Sequence, residues 1–302
     1  MKKIALFTDM HHEHGRPVFK PTYLTSYFEL SQALTDHGGQ LYITRDQNSY
    51  LGHGSFSQSW IMTDTGLEEA GPIVADVIFD KGRFQSDDTI PVFNSRKIKQ
   101  ICDDKWLMYQ TFPLYCPQTF FVTNENELYS VLPNISTDRT VFKPFSGAEG
   151  RGVLIEEKNY FLDHPDQLQF PAVVSDFIDT SGGIPGIVDG LHDLRVAIFD
   201  GEILYSYVRT PPQGSFLANV SKGGTFAMID PNKLPSPIVN IVKKIDATLS
   251  DCSHRFYGID FGCTAQGPKI IEMNSELGLL PNSDHPVFVT LKQKLAEVFM
   301  EL

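Results

Sequence analysis

FYGIDFGCTAQGPKIIEMN, residues 256–274, is the stretch whose reading decides the fold. Residues 256–261 and 268–274 read as two strands, with Thr264 to Pro268 as the reversal between them. Side chains two apart share a strand face, so Glu272 and Asn274 point the same way. If residue 260 pairs opposite 272, Asp260 joins them. Three oxygen-bearing side chains in an otherwise apolar hairpin suit Mg²⁺ carried by a nucleotide. That hard cation takes a few carboxylate oxygens and leaves its other positions to phosphates and water. The competing reading is a solvated strand face.

Outward from the hairpin, composition narrows the field. The 302 residues suffice for two domains or one elaborate α/β enzyme. A net charge of −12, with no Lys/Arg cluster, speaks against a surface built for nucleic acid or anionic membrane. Polyanionic ligands are left to local basic pockets. Cys102, Cys116, Cys252 and Cys263 lack CxxC spacing, which predicts reduced thiols and no zinc site. The apolar run after Lys2-Lys3 ends at Phe7, too short for a signal peptide and suited to a first buried strand. A soluble, cytoplasmic protein is expected.

Residues 3–8 read as that strand, followed by a polar loop with His11, His12 and His14, then a helix from Thr22 to Asp36 ended by Gly38-Gly39. Residues 41–44 and 75–79 read as further short strands, which predicts a small open parallel sheet. Residues 45–72 yield no assignment. Beyond Asn94 a helix is predicted over 95–110, strands over 118–122, 140–144, 151–157, 172–178, 193–200 and 202–209, and helices near 125–132 and 236–249. These place one domain at 1–92 and a second at 93–302, itself divided into 93–175 and 176–302.

Three further segments carry chemistry. Lys143 ends a strand and leads into a loop with Gly147, Gly150 and Gly152. Glycines let backbone N–H groups approach phosphate oxygens, and the lysine adds a point charge. No Gly-Lys-Ser/Thr follows, so it is not a Walker A loop, and a plain turn is the alternative. The run from Pro171 to Ile178 suits a hinge strand whose backbone meets an adenine edge. Arg209, at a strand end, opens the polar loop 211–224, either a mobile lid or a connector.

Taken in this order, the segments resemble the ATP-grasp superfamily, nearest the branch of bacterial glutathione synthetase and the RimK-like glutamate ligases. The resemblance spans about residues 94–281 and rests on Asp104-Lys105, the Lys143 glycine loop, Asp193 with Arg195, Arg209, Asn219 with Gly223-Gly224, and Asp260, Glu272 and Asn274. It implies an α/β ATP-grasp fold behind an N-terminal open parallel-sheet domain. It implies that Lys105 and Lys143 contact the ATP phosphates and that the loop Ser146, Gly147, Gly150, Gly152 closes over them. Asp176 and Phe177 would sit at the adenine and Asp193 near the ribose. Asp260, Glu272 and Asn274 would hold two Mg²⁺ ions, with Mn²⁺ a substitute and Asn219 nearby. Arg209 and Arg195 would face the reacting phosphoryl group. Where relatives carry Glu or Gln near the start of the hinge, this chain has Ser175-Asp176.

The implied activity is joining a carboxylate to an amine through an acylphosphate, releasing ADP and phosphate. A kinase on the same scaffold and a non-catalytic ATP-binding protein are the alternatives. The partners are then a carboxylate and an amine, as small molecules or peptides, with homo-oligomers common in the family. Specificity is expected in residues 1–92, where His11, His14, Arg16 and Arg83 are candidate contacts, together with Glu276. A His-x-His pattern on a loop is more often a solvated turn, and for Arg83 a surface turn is the equal alternative.

Overall fold

The computed structural model describes residues 1–9, 12–13, 16–145, 150–218 and 223–302. They form two compact units, Met1–Arg96 with Glu276–Leu302, and Lys97–Ser275. The sequence placed 276–302 with the second domain. The structure places it with the first, because the helix Val287–Glu301 buries its apolar face there.

In the first unit a six-stranded sheet runs Val92–Phe93, Val77–Asp80, Lys2–Thr8, Gly39–Arg45, Trp60–Thr63, Gly66–Glu69. The first four strands are parallel and the last two form an antiparallel hairpin, inside the stretch that resisted assignment. Ile4, Ala5, Leu6, Val77 and Ile78 are all fully buried, as a parallel strand covered on both faces requires. The crossover helix Pro21–Asp36 begins with Pro at its first turn, where a missing N–H costs nothing. It ends before Gly38, whose φ of +82° is readily adopted only without a Cβ. Phe299 of the C-terminal helix packs 5.0 Å from Phe79 and 5.5 Å from Phe93, ring centre to ring centre. Lys292, 2% exposed, fixes the approach to that helix by donating to Leu280 O and Asn282 Oδ1 and pairing with Glu29.

The second unit holds two antiparallel sheets. The smaller runs Thr119–Val122, Ala172–Asp176, Arg139–Pro144, Leu154–Glu157, and the larger runs Thr225–Ile229, Glu202–Thr210, Asp193–Phe199, Phe256–Thr264, Gly267–Asn274. Each has its own core. Phe142 and Val174 of the smaller sheet pack with Leu128 of helix Glu125–Val131. Val196, Ile198 and Ile259 of the larger pack with Ile238, Val242 and Ile245 of helix Ser236–Thr248. The helix expected over 95–110 is two, Arg96–Asp103 and Lys105–Thr111. Asp104 breaks it by turning its carboxylate to cap Trp106 N and Leu107 N at 2.9 and 2.8 Å.

Candidate active site

Alternation along the smaller sheet builds one wall of a cleft. Phe142 and Val174 face the helices, so Val141, Lys143, Val173 and Ser175 face the other way, and all four line the cleft. The opposite wall comes from the larger sheet, with Asp193, Arg209 and Glu272 beside Ile270. Lys105, at the start of its helix, joins Lys143 in the lining. Lys143 Nζ donates to Ile271 O at 3.1 Å. Burial holds its ammonium below the ordinary lysine range. Glu272 opposes that shift, and the like charge of Lys105 adds to it.

The larger sheet carries charge as a checkerboard. Asp193 stands opposite Arg209, Arg195 opposite Asp260, and Asp260 opposite Glu272, each pair directly across a ladder. Arg195 donates Nε to Asp260 Oδ1 and Nη2 to Asp260 Oδ2, both at 2.5 Å. Arg209 Nη2 reaches Asp260 Oδ2 at 2.7 Å and also binds Asp193, to which its Nε donates at 3.0 Å. Burial alone would raise the Asp260 carboxyl, but Arg195 and Arg209 outweigh it and hold it below the usual range. Asp193 goes the other way, pushed up by burial and then by Asp260.

The pairing of 260 with 272 is the one the hairpin pattern requires, and Asn274 Nδ2 lies 3.4 Å from Asp260 Oδ2. As an oxygen set for a hard cation the three are unequal. Glu272 makes no hydrogen bond or ion pair among the described residues, and Asn274 keeps its Oδ1. Asp260 Oδ2 takes three donors, but Oδ1 takes only Arg195 Nε, leaving one acceptor direction of the carboxylate's roughly four. Three open oxygens, two on Glu272 and one on Asn274, with the one remaining direction on Asp260, fit Mg²⁺, which needs few protein ligands. Among the described residues no group of three His, Cys, Asp or Glu side chains gathers to hold a metal, and this set has two such side chains and an amide.

Other expected residues fall as follows. Gly150 and Gly152 both have φ of +70°, and a Cβ on Gly152 would meet Pro144 Cγ at 2.9 Å, so the loop needs glycine there. Asp176 lines the cleft, and its carboxylate accepts from Ser136 N and Oγ, both at 2.7 Å. Phe177 lines the cleft, with Phe216 edge-on to it at 5.2 Å and Arg139 stacked at 4.7 Å from Phe216. Phe216, Leu217 and Ala218 bring the start of loop 211–224 into the lining. Arg195, Asp260 and Asn274 stand outside that lining.

In the first unit Arg83 is exposed, with its backbone N on Asp9 Oδ1 at 3.0 Å, and Glu276 is exposed. Arg16 lies in the two-residue strand Arg16–Pro17. His11, His14, Ser146, Gly147 and Asn219 lie outside the described residues. The sequence reading missed the apolar wall of Val141, Val173 and Ile155, although period-two spacing from Lys143 and the next strand would have found it.

With this geometry in hand, likeness to known proteins is specific. A RimK-like ATP-grasp domain pattern matches residues 102–299, more than half of the chain. A probable alpha-L-glutamate ligase of Psychromonas ingrahamii is 24% identical over 168 residues, covering 54% of this chain and 51% of the relative. Its counterpart in Stenotrophomonas maltophilia is 27% identical over 168 residues, covering 54% and 52%. The chain thus spans about half the length of these relatives. Among solved structures, a RimK domain ATP-grasp protein of Sphaerobacter thermophilus superimposes with a TM-score of 0.63 at 15% identity, covering 99% of both chains. The VanG D-Ala:D-Ser ligase of Enterococcus faecalis gives 0.67 at 15% identity, again covering 99% of both. A Chryseobacterium gregarium RiPP-associated ATP-grasp ligase, solved with ADP and a leader and core peptide, gives 0.64 at 11% identity, covering 100% of this chain and 97% of that one. These superpositions show the ATP-grasp fold, and the matched pattern shows the lineage: the chain belongs to the RimK-like ATP-grasp domain family.

Proposed function

We propose that this chain is an ATP-dependent carboxylate–amine ligase, forming an amide through an acylphosphate and releasing ADP and phosphate. The observation that carries the reading is the pairing of two lysines, Lys105 and Lys143, with Arg209 and Glu272 around one cleft whose remaining walls are largely apolar. Phosphoryl transfer asks the protein for positioning and charge neutralisation more than for a covalent nucleophile. The cleft offers those means. The relatives' names, alpha-L-glutamate ligase, supply the precedent for an amino acid as one substrate.

A carboxylate is a poor electrophile, so its oxygen must first accept the γ-phosphoryl group of ATP. Lys105 and Lys143 neutralise the phosphates, and the low dielectric around Lys143 strengthens that attraction. Glu272 and Asn274, with the open acceptor direction of Asp260, would hold Mg²⁺. Bound there, the cation supplies charge neutralisation at the transferring phosphoryl group. Two ions, and replacement by Mn²⁺, belong to this reading. Arg209 stands ready to stabilise negative charge on the acylphosphate and on the tetrahedral species formed when the amine attacks. Its tethers to Asp193 and Asp260 fix its aim before any ligand arrives. Loop 211–224 would then exclude water, which otherwise hydrolyses the acylphosphate. The acid and amine are either free amino acids or peptide ends.

The test is release of phosphate from ATP and Mg²⁺ across a matrix of paired acids and amines. Phosphate and ADP formed only when acid and amine are both present support the ligase. AMP and pyrophosphate would sink it. A phosphorylated acid accumulating as the final product would make the protein a kinase.

A further inference from the structure

At the carboxyl end of the parallel strands in the first unit, Arg45 closes the strand Gly39–Arg45 beside Thr8. Its side chain is only 13% exposed, and its Nε and Nη1 are buried with no hydrogen-bond acceptor. Asp46 Oδ2 stands 3.9 Å from Nη1, too far for a hydrogen bond. Asp46 itself uses Oδ1, which accepts from Asn48 N at 2.8 Å. Its Oδ2 takes no hydrogen bond among the described residues. Arg45 thus keeps unmet donors where buried charge is ordinarily paired, beside Asp46, whose side chain is 41% exposed and whose Oδ2 is open.

The surrounding rim keeps them so. Ser49 Oγ donates to Arg45 O at 2.6 Å and to Asp46 O at 2.9 Å, and Asp46 adopts a φ of +59°. Gln47 ties this turn to Gln85 by two reciprocal bonds, Nε2 to Gln85 O at 3.1 Å and Gln85 N to Oε1 at 2.9 Å. The other carboxylates of the rim are engaged. Asp80 Oδ1 accepts from Gly82 N at 2.9 Å, and Asp9 Oδ1 from Arg83 N at 3.0 Å. A Cβ on Gly82 would lie 1.6 Å from Asp9 Oδ1, so that turn has no room for a side chain. A hydrogen-bonded rim around an unclosed ion pair describes a receptor for something that closes it. In open sheets of parallel strands, ligands gather at this end.

We propose that Arg45 and Asp46 bind a zwitterionic amino acid, its carboxylate on the Arg45 guanidinium and its ammonium on Asp46 Oδ2. A ligand with only a carboxylate leaves Oδ2 unmet. A phosphate brings surplus negative charge beside Asp46. The Arg83 expected from sequence is exposed, whereas Arg45 is buried and meets its ligand largely out of water, where a charge-assisted bond is strongest.

The site carries its own reporter. Arg45 lies 5.9 Å from the Trp60 ring centre, and the chain has only one other tryptophan, Trp106. In a Trp106→Phe background, L-glutamate, L-alanine, glutarate and inorganic phosphate are titrated without nucleotide while Trp60 emission is followed. Both amino acids should give a saturable change, with glutarate at least tenfold weaker. Arg45→Met should weaken amino-acid binding at least tenfold, and Arg45→Lys by less. Asp46→Asn keeps an acceptor for Asn48 N and tolerates a positive φ. It should weaken the amino acids while leaving glutarate unchanged, and it serves if Arg45→Met fails to fold. Unaltered amino-acid binding in Asp46→Asn, a response to phosphate alone, or no saturable response in the parent protein would each overturn the proposal. No nucleotide takes part, so this result and the ligase test fail independently.

Discussion

Arg195 and Asp260 face each other across neighbouring strands and are joined by two parallel hydrogen bonds of 2.5 Å each. Asp260 is 1% exposed, and without Arg195 its charge is left to Arg209 and Asn274. Arg195→Met should therefore lower the unfolding free energy in urea titrations by less than the ~3–5 kcal/mol of a buried charge left wholly unpaired. Combining it with Asp260→Leu should recover part of the loss. Strictly additive losses would show that the two side chains do not depend on each other.

Lys143→Met is expected to weaken binding of a fluorescent ATP analogue at least tenfold. The thermal midpoint should hold or rise, because the variant no longer has to bury an ammonium. Unchanged nucleotide affinity would remove Lys143 from the phosphate site.

Glu272→Gln should raise the Mg²⁺ concentration giving half-maximal phosphate release at least tenfold, since the amide keeps one oxygen but no charge. ATP affinity measured without metal should change less than threefold. An identical Mg²⁺ dependence would leave Glu272 no part in holding the cation.

Asp176→Ala should behave as a structural substitution. Its two bonds to Ser136 are charge-assisted, so about 1.5–3 kcal/mol of stability should go, with nucleotide affinity within twofold of the parent. A tenfold loss of affinity with stability intact would return Asp176 to the nucleotide.

Phe299→Ala should cost about 3–5 kcal/mol, because a fully buried ring between Phe79 and Phe93 leaves a cavity when removed. Hydrogen exchange should quicken in strands Val77–Asp80 and Val92–Phe93. Exchange confined to residues 287–301 would mean that the helix is dispensable to the sheet.

Strand alternation is a local signal, so the hairpin and the pairing of Asp260 with Glu272 could be read from the chain alone. The same signal located Lys143 on a strand, now seen as Arg139–Pro144. What escaped depended on distant partners. Ser136 claims Asp176 from 40 residues away. Arg195 and Arg209 were expected at the reacting phosphoryl group, and nothing local shows that both bond Asp260. The apolar pattern runs unbroken through Asp104, and only its capping bonds reveal two helices. Strand Thr225–Ile229 went unseen because three of its five residues are exposed and no face is consistently apolar. Arg45 closes a strand that the sequence did show, but that its buried nitrogens find no acceptor depends on distant neighbours.

The first unit is completed by a segment made after the whole of the second. Until residues 287–301 emerge, Phe79 and Phe93 lack the ring of Phe299, while residues 97–275 already contain every strand of their two sheets. Residues 97–275 can therefore mature during synthesis before residues 1–96 do. A nascent chain stalled short of Phe299 would carry a finished second unit and an unfinished first sheet, the state in which chaperone capture and proteolysis find their opening.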